Sequence, residues 1–296
     1  MHGCALAPTI RAPTVGTMQI QQLRNATMLV SFGPHHLLVD PMLADAEAMP
    51  GFKAFGGGRR RNPRVPLPPQ TTAALEQATG LLITHEHPDH FDGAGRRWAR
   101  AAGLPVWANR IDVPRLRRKG LDARAVEDGS LGIDVEVVPS RHGRGLLGYL
   151  MGPVAGYVLA PVGEPSLYIT GDSILTDTVR DAIERLRPDV VVAPAGAANV
   201  GLGGDILFSV DELVELVRLA PGTVMFNHLE ALDHCPTTRA GLRERMRAEG
   251  LLDRVRIPED GAVLTFGPGS GARPPLRDVV LRPGLQKWLT SPLAGG

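Results

Sequence analysis

The chain has 296 residues, enough for one large α/β domain or for two smaller ones. Its 32 basic and 31 acidic side chains give a formal net charge of +1, so the overall charge favours neither nucleic acid nor an anionic membrane as a partner. No apolar stretch approaches the ~18 residues of a membrane-spanning helix, which excludes a helical membrane span. Cys4 and Cys235 are the only cysteines, and no basic region followed by an apolar segment opens the sequence, so we expect a cytoplasmic protein without a disulfide framework.

The first third of the chain predicts a short meander followed by a long loop. Residues 1–17 contain glycines and prolines without hydrophobic periodicity, which predicts a flexible N-terminal segment. Three β-type runs follow, TMQIQQL, ATMLVSF and HHLLVD, separated by Asn, Gly and Pro, and they lead into Asp40. Residues 50–70 can sustain neither helix nor strand. A loop of about 20 residues inside a compact domain is usually functional or flexible, and we interpret this one as a lid.

From Thr71 onward, helical and strand patterns alternate. The first half has helical patterns at TTAALEQA, 91–102 and 113–119, and strand patterns at LLIT, PVWA and IDVEVV. The second half repeats the theme with GYVLAP, SLYIT, TDTVRDAIERL, DVVVAP and SVDELVELVRL, in which Ser209 and Glu212 have the spacing of a capping box. TVMFN, a helix ending near Gly250, VRIP and AVLTF complete a single domain, followed by a linker and tail over residues 269–296. This mixture predicts an α/β fold of two packed sheets flanked by helices.

The strongest chemical signal is THEHPDHFDG, in which His85, His87, Asp89 and His90 form an H-x-H-x-D-H run directly after the strand LLIT. His85 and His87 are two residues apart, so an extended backbone directs both imidazoles to the same side. Pro88 and the following turn bring Asp89 and His90 round at the start of a helix. One loop can therefore supply ligands to two metal ions.

Three further candidates lie just beyond strand-like runs: His142, Asp172 and His228. Loops at strand ends are where α/β folds place their sites. Each candidate also has an ordinary interpretation, respectively a surface histidine, a turn or helix-cap residue, and a hydrogen-bonded core histidine. The H-x-H-x-D-H run leaves coordination shells to be completed, which favours a metal role for all three.

An H-x-H-x-D-H run followed by a lone His, a Gly-Asp pair and a final strand-end His resembles the metallo-β-lactamase fold superfamily over residues 18–268. The NATMLVSF…HHLLVDP opening, NPRVPLP, and PDVVVAP followed by NHLEALDHCPTTR resemble the branch that contains L-ascorbate 6-phosphate lactonase and N-acylphosphatidylethanolamine phospholipase D. The resemblance implies a four-layer αββα sandwich of two mixed sheets. It departs from some members of the branch in GRGLLGYLMG, after His142, which lacks polar residues for substrate contacts.

The resemblance also implies a ligand set for two divalent ions. The implied ligands form two triads joined by a shared carboxylate: His85, His87 and His142 for one ion, Asp89, His90 and His228 for the other, and Asp172 between them. Asp40 would contact the metal ligands and orient them without binding a metal ion itself. Imidazole and carboxylate donors suit Zn²⁺ and also Mn²⁺ or Fe²⁺. Such a pair of ions can share a water, lower its pKa toward about 7 and so supply hydroxide as the nucleophile.

Further residues are candidates for catalysis and for substrate binding. Asp89 could orient the hydroxide, and His234 could protonate the leaving group if LEALDHC folds back over the site, although an exposed loop histidine is the alternative. Cys235 is left out of the chemistry because the ligand set is complete without it. Nearby arginines could clamp a phosphate or carboxylate of the substrate, or form solvated charge runs: Arg59, Arg60, Arg61, Arg141 and Arg144.

These features predict a dinuclear metal-dependent hydrolase that opens an ester, lactone or phosphodiester of a small, anionic substrate. Two other classes stay open. A nucleic-acid phosphodiesterase is disfavoured by the 4% aromatic content and the near-zero net charge. A non-catalytic, metal-containing binding or sensor protein is the other alternative. The sequence leaves homo-oligomerisation, the substrate and the native metal open.

Overall fold

The computed structural model describes residues 16–55, 57–201 and 204–267. The predicted flexible segment 1–17 lies outside these residues except for its last two, and the predicted tail 269–296 lies wholly outside them. In the described ranges, no helix is long and apolar enough to cross a membrane.

The strands form two sheets. The first has seven strands in the spatial order β13-β1-β2-β3-β4-β5-β6: β1 (Met18–Arg24), β2 (Thr27–Phe32), β3 (His35–Val39), β4 (Gly80–Ile83), β5 (Val106–Ala108), β6 (Ala123–Ala125) and β13 (Val263–Phe266). The second has six strands in the order β12-β11-β10-β9-β8-β7: β7 (Asp134–Arg141), β8 (Pro153–Ala160), β9 (Leu167–Ile169), β10 (Val190–Pro194), β11 (Thr223–Asn227) and β12 (Val255–Arg256).

Each sheet is antiparallel on one side and parallel on the other. In the first sheet, β13, β1, β2 and β3 pair antiparallel, whereas β3, β4, β5 and β6 pair parallel. In the second sheet, β7, β8 and β9 pair antiparallel, and β9 through β12 pair parallel. Parallel neighbours need crossover connections, and these contain most of the helices. The predicted meander of β1, β2 and β3 and the predicted alternation of helices and strands from Thr71 onward are confirmed.

Seven α-helices and two short 3₁₀ turns are present in the described residues: α1 (Thr71–Gln77), α2 (Gly93–Ala102), α3 (Val113–Arg118), α4 (Gly145–Met151), α5 (Asp177–Leu186), α6 (Val210–Leu219), α7 (Arg239–Ala248), Ser130–Gly132 and Leu252–Arg254. The capping box of α6 is formed by Ser209 and Glu212, as predicted. Sequence analysis missed α4, because glycines at positions 145 and 148 lower its intrinsic helix propensity.

The hydrophobic core explains why helices cover both outer faces. In β10, Val190 and Val192 face the first sheet, whereas Val191 and Ala193 face α5 and α6. A strand buried on both faces has no polar alternation, which accounts for the run VVVAP. On the other side of the molecule, the first sheet packs against α2 and α3. The predicted four-layer order of helix, sheet, sheet and helix is confirmed.

Candidate metal centre

The seven predicted ligands converge where β4, β7, β9 and β11 end. They form two groups: His85, His87 and His142 in one, and Asp89, His90, Asp172 and His228 in the other. Within each group, the ligand atoms all lie within 4.8 Å of one another. Asp172 Oδ2 connects the groups, because it lies 3.1 Å from His90 Nε2 and 3.4 Å from His142 Nε2.

Asp40, directly after β3, holds two imidazoles in a fixed tautomer. Its carboxylate accepts hydrogen bonds from the backbone N–H of Thr84 at 2.8 Å and from the Thr84 hydroxyl at 2.7 Å. His90 Nδ1 lies 2.9 Å from the same carboxylate, and His85 Nδ1 lies 3.0 Å from Thr84 Oγ1. Because the Thr84 hydroxyl donates to Asp40, its oxygen is free to accept from His85. Both imidazoles then carry a proton on Nδ1 and present Nε2 to a metal.

The other three imidazoles are also held through one ring nitrogen, which leaves the second nitrogen for a metal ligand bond. Their outer partners are two backbone carbonyls and one thiol: Ile206 O at 2.8 Å from His142 Nδ1, Met151 O at 3.1 Å from His87 Nε2, and Cys235 Sγ at 3.5 Å from His228 Nδ1. The free nitrogens are therefore Nε2 in His142 and His228 and Nδ1 in His87.

Several of the inward atoms make no hydrogen bond. His85 Nε2 and Asp172 Oδ1 are buried without a hydrogen-bond partner within the described residues, and His90 Nε2 and His228 Nε2 have only charged contacts, with the carboxylates of Asp172 and Asp89 at 3.1 and 3.5 Å. An unsatisfied buried polar group costs about 1–3 kcal/mol, so a convergent set of them is unfavourable unless something binds there. Imidazole nitrogens and carboxylate oxygens are the donors that divalent ions of the zinc type prefer. The residues therefore fit divalent metal ions.

The first group consists of imidazoles without a carboxylate of their own. Burial lowers the pKa of His85, and the neighbouring His90 and His87 lower it further. Burial also lowers the pKa of His142, although Asp172 opposes this effect. The imidazoles of His85 and His142 therefore stay neutral near pH 7, with lone pairs available to a metal.

The second group pairs imidazoles with carboxylates. Burial opposes ionisation of every member, but the opposite charges outweigh it. Asp172 and Asp40 raise the pKa of His90 to about 10, and Asp172 raises the pKa of His228 well above its usual value. The same imidazoles hold the pKa of Asp172 and of Asp89 well below the usual range. A divalent ion would replace the protons that otherwise balance these carboxylates.

His234 lies beside the second group. Its ring centroid is 6.5 Å from that of His228, and it packs edge-on against Phe52 at 5.5 Å. Its exposed fraction is 6%, so the alternative of an exposed loop histidine is excluded. Burial lowers its pKa, and its Nδ1 makes no hydrogen bond in the part of the chain that the structure describes.

The 50–70 segment is tied to the loop that carries His234. As predicted, its described residues form no helix, and only a single β-bridge, at Asn62, interrupts the irregular backbone. The Asp233 carboxylate accepts hydrogen bonds from the backbone N–H groups of Phe52, Lys53 and Arg60 at 2.9, 3.3 and 3.1 Å. Asn62 Nδ2 donates to the same carboxylate at 2.9 Å, and Asn62 Oδ1 accepts from Asp233 N at 2.9 Å. Two parts of the segment, residues 52–53 and residues 60–62, are therefore fixed at Asp233.

The five candidate arginines differ in what they contact. Three direct their guanidinium groups to other partners: Arg59 to the Gly51 carbonyl at 3.0 Å, Arg61 to the carbonyls of Glu47 and Ala48 at 2.5 and 3.2 Å, and Arg144 to the Glu212 carboxylate at 2.6 Å. Arg60 and Arg141 are exposed. A clamp on a substrate would require Arg59, Arg61 and Arg144 to leave these contacts.

Sequence analysis missed most of the groups that orient the ligands. Thr84 could have been identified, because a hydroxyl residue directly precedes His85 at the end of a strand. Cys235 was set aside, yet its sulfur lies against His228. The carbonyls of Met151 and Ile206 have no sequence signal, because every residue type supplies a carbonyl.

Comparison with known proteins agrees with the fold and with a metal-dependent hydrolase. A family model described as a beta-lactamase superfamily domain matches residues 35–229. UPF0173 protein YddR of Bacillus subtilis (strain 168) is 29% identical over 255 residues, which cover 84% of this chain and 100% of that protein. A UPF0173 metal-dependent hydrolase of Cereibacter sphaeroides (strain ATCC 17029 / ATH 2.4.9) is 30% identical over 189 residues, which cover 60% of this chain and 74% of that protein.

Among solved structures, an isothiocyanate hydrolase from Delia radicum gut bacteria superposes with a TM-score of 0.78 at 29% identity, covering 84% of this chain and 100% of that one. The fold and site thus define a metal-dependent hydrolase of the metallo-β-lactamase type. The chain belongs to the β-lactamase superfamily and, within it, to the UPF0173 metal-dependent hydrolase family. The narrower branch of lactonases and phospholipases D stays a prediction.

Proposed function

We propose that the chain is a two-ion hydrolase. The convergence of two ligand groups, several of whose inward atoms make no hydrogen bond, carries this proposal. Zn²⁺ suits the donors, and Mn²⁺ or Fe²⁺ are alternatives. One ion would be held by three imidazoles and the second by two imidazoles and a carboxylate, with a second carboxylate between the ions: His85, His87 and His142; His90, His228 and Asp89; and Asp172.

Protein groups beside the ligands have defined tasks in this proposal. When bound, two divalent ions lower the pKa of a shared water toward about 7 and polarise the bond under attack. Asp89, whose Oδ2 lies 3.5 Å from His228 Nε2, would orient the attacking water. His234, next to His228, would accept the proton released by the attacking water and donate it to the leaving atom. Phe52 covers the His234 ring on one side and helps to exclude bulk water.

The first candidate reaction is hydrolysis of an ester, lactone or phosphodiester of a small substrate. The motif resemblance to the lactonase and phospholipase D branch supports this choice, as does the expectation that two cations stabilise a developing oxyanion. An anionic substrate group would meet Arg60 and Arg141, whose exposed side chains can turn toward a ligand.

The second candidate is hydrolysis of an isothiocyanate, R–N=C=S, to an amine and carbonyl sulfide with consumption of one water. One observation favours it beyond the related structure: an apolar cluster borders the ligands. Met151, Ile206 and Cys235, which hold three of the imidazoles, belong to that cluster, together with Phe52. Helix α4 also carries three of the six large apolar side chains that are exposed in the described residues. An uncharged substrate with an apolar group suits these surroundings.

An activity panel tests the proposal and separates the two candidates. The purified chain, with zinc, manganese or iron(II) added and with chelator, would be assayed on a lactone series, a p-nitrophenyl ester, bis(p-nitrophenyl) phosphate and benzyl isothiocyanate. We expect turnover that chelator abolishes and metal restores. Turnover restricted to benzyl isothiocyanate would favour the second candidate. Two bound ions without turnover on any substrate would contradict catalysis and favour the sensor alternative.

His87→Ala provides the residue-level test. We expect it to lose one ion and at least about 100-fold in activity while keeping the parent circular dichroism spectrum, because a domain of this size has a core that does not depend on one imidazole. His36→Ala is the matched control. His36 is a half-buried histidine at the start of β3 that contacts Ser31, and its replacement should leave metal content unchanged. Full activity of His87→Ala would refute the site.

A further inference from the structure

The tight turn between β1 and β2 contacts Asp89 and His228, two of the proposed ligands of the second ion. Asn25 occupies this turn, is 1% exposed and has a left-handed backbone with φ of +57°. Neither the motif nor the ligand set assigns it a role. We infer that Asn25 is a positioning residue that fixes Asp89 and His228 relative to each other, and this inference rests on the proposed two-ion function.

Asn25 contacts the two ligand loops through different atoms. Its side-chain Nδ2 donates a hydrogen bond to the backbone carbonyl of Asp89 at 2.9 Å. Its own carbonyl accepts a hydrogen bond from the backbone N–H of His228 at 3.0 Å. Asp89 follows β4 of the first sheet, whereas His228 follows β11 of the second. Within the described residues, one turn residue therefore connects a ligand loop of each sheet.

The His228 end of this connection needs support. His228 is itself in the left-handed region, with φ of +57°, a conformation that is unfavourable for a non-glycine residue. Gln22 Nε2 also donates to the Asn25 carbonyl, at 2.8 Å, so the acceptor is held in place from both sides. The hydrogen bond from His228 N then contributes to keeping the imidazole directed at Asp89 and Asp172.

The chemistry of the turn explains why asparagine fits it. Asn tolerates a positive φ better than most residues. Its amide also provides the N–H that a backbone carbonyl requires, which Asp and Gly do not. The other amide atom, Oδ1, is buried and makes no hydrogen bond within the described part of the chain. The contact with Asp89 is thus the hydrogen bond that fixes the amide.

Neighbouring residues of the turn fix the other components of the same site. Thr27 Oγ1 donates to the Asp40 carbonyl at 2.7 Å and accepts from Met42 N at 3.0 Å. Arg24, which is fully buried, donates to the Met42 carbonyl at 2.7 Å and to the Ala44 carbonyl at 2.8 Å. The turn therefore supports both the ligands and the carboxylate that orients His90.

Two variants of Asn25 test the hydrogen bond of its side-chain amide separately from its backbone conformation. Asn25→Gly keeps a residue that accepts a positive φ and removes the side chain. Asn25→Asp keeps the size and replaces the N–H donor by a carboxylate oxygen. A negative charge alone would strengthen cation binding, so weaker binding in Asn25→Asp identifies the lost hydrogen bond and not a general electrostatic effect.

Stepwise zinc affinities, measured by competition with a chromophoric chelator, provide the readout. Cobalt(II) absorption spectra report the coordination of each ion independently of activity. We expect the parent to bind two ions. Both variants should bind the ion held by Asp89, His90 and His228 about tenfold or more weakly, while the ion held by His85, His87 and His142 keeps its affinity. The cobalt spectrum of the second ion should change as well.

Ser166→Ala is the matched control. It removes a buried hydroxyl hydrogen-bonded to Asp189 at the start of β9, the strand end opposite Asp172, and should lower the melting temperature without selecting between the ions. Parent affinities in both Asn25 variants would overturn the inference. Equal weakening of both ions, in step with the melting temperature as in Ser166→Ala, would also overturn it. A parent that binds fewer than two ions would instead refute the proposed function.

Discussion

At the scale of single residues, the site consists of ligands and of groups that fix their direction. Asp40 is the clearest example of the second kind, because one carboxylate accepts two hydrogen bonds from Thr84 and contacts His90. The position was foreseen from the superfamily resemblance. The relay from His85 through the Thr84 hydroxyl was not, since the sequence does not reveal which way a hydroxyl points.

The substitution Asp40→Asn tests the relay. The introduced amide could accept at only one of the two positions, so either His90 or Thr84 would lose its acceptor. We expect zinc affinity to fall about 10- to 100-fold with little change in the fold, as is usual for groups that orient metal ligands. Chelator competition measures this loss. Asp177→Asn, at an exposed aspartate in the first turn of α5, is the control, and equal affinities in the two variants would contradict the prediction.

At the scale of elements, the 50–62 segment and the loop at residues 229–238 act as one unit. The hydrogen bonds to Asp233 attach the segment to this loop, and Phe52 contacts His234. The irregular composition predicts a lid, and that role stays a prediction. The contact that holds the segment could not be predicted, because Asn62 and Asp233 are 171 positions apart and the resemblance of NPRVPLP and NHLEALDHCPTTR to other proteins does not show that these two residues pair.

Asp233→Asn should release this segment. A hydrogen bond to a charged group contributes about 1.5–3 kcal/mol, so loss of the carboxylate should raise the population of the open segment about tenfold or more. The segment contains Arg59, Arg60 and Arg61, and its opening should therefore accelerate tryptic cleavage there. Mass spectrometry of timed digests locates the cuts. An unchanged rate, or equal acceleration in the exposed-site control Asp253→Asn, would contradict the role of Asp233 in holding the segment.

Helix α6 allows a stability test that is separate from the chemistry. Ser209→Ala removes the N-terminal cap and should cost about 1 kcal/mol, which corresponds to roughly 2–4 °C in melting temperature for a domain of this size. Zinc affinity should be unchanged, because none of the proposed ligands belongs to α6. Differential scanning calorimetry and metal titration together check both statements. A change in zinc affinity would show that the cap also supports the site.

Elements with strong periodicity were the ones that sequence analysis placed well. Helices α5 and α6 and the strand β10 follow patterns that bury one or both faces, and such burial dominates their formation. Helix α4 was missed, because its glycines weaken the local signal and tertiary contacts of Leu147 and Met151 stabilise it. The ligand loop was found because its residues are close in sequence. The outer partners were not, since tertiary packing brings them there.

At the scale of the whole molecule, the structure predicts that metal removal leaves the fold intact. Apolar layers lie between the sheets and on both outer faces, and none of them requires an ion. Chelated protein should keep its far-ultraviolet circular dichroism and unfold cooperatively at a lower temperature. Readded zinc should restore stability by about 2.7 kcal/mol per site at a hundredfold excess over its dissociation constant. Loss of the β-sheet spectrum on chelation would contradict this and indicate a structural metal.

The proposed ion pair lies across the seam between the two halves of the sandwich, since the H-x-H-x-D-H loop comes from one sheet and His142, Asp172 and His228 come from the other. Strand register changes in steps of one residue, so a slip of a single position in one of these strands would displace the ligand that follows it from the other ligands. The number of bound metal ions consequently reports whether the two sheets are correctly positioned relative to each other. Insertions that preserve each half but shift their docking would be silent in a folding assay and visible in a zinc measurement.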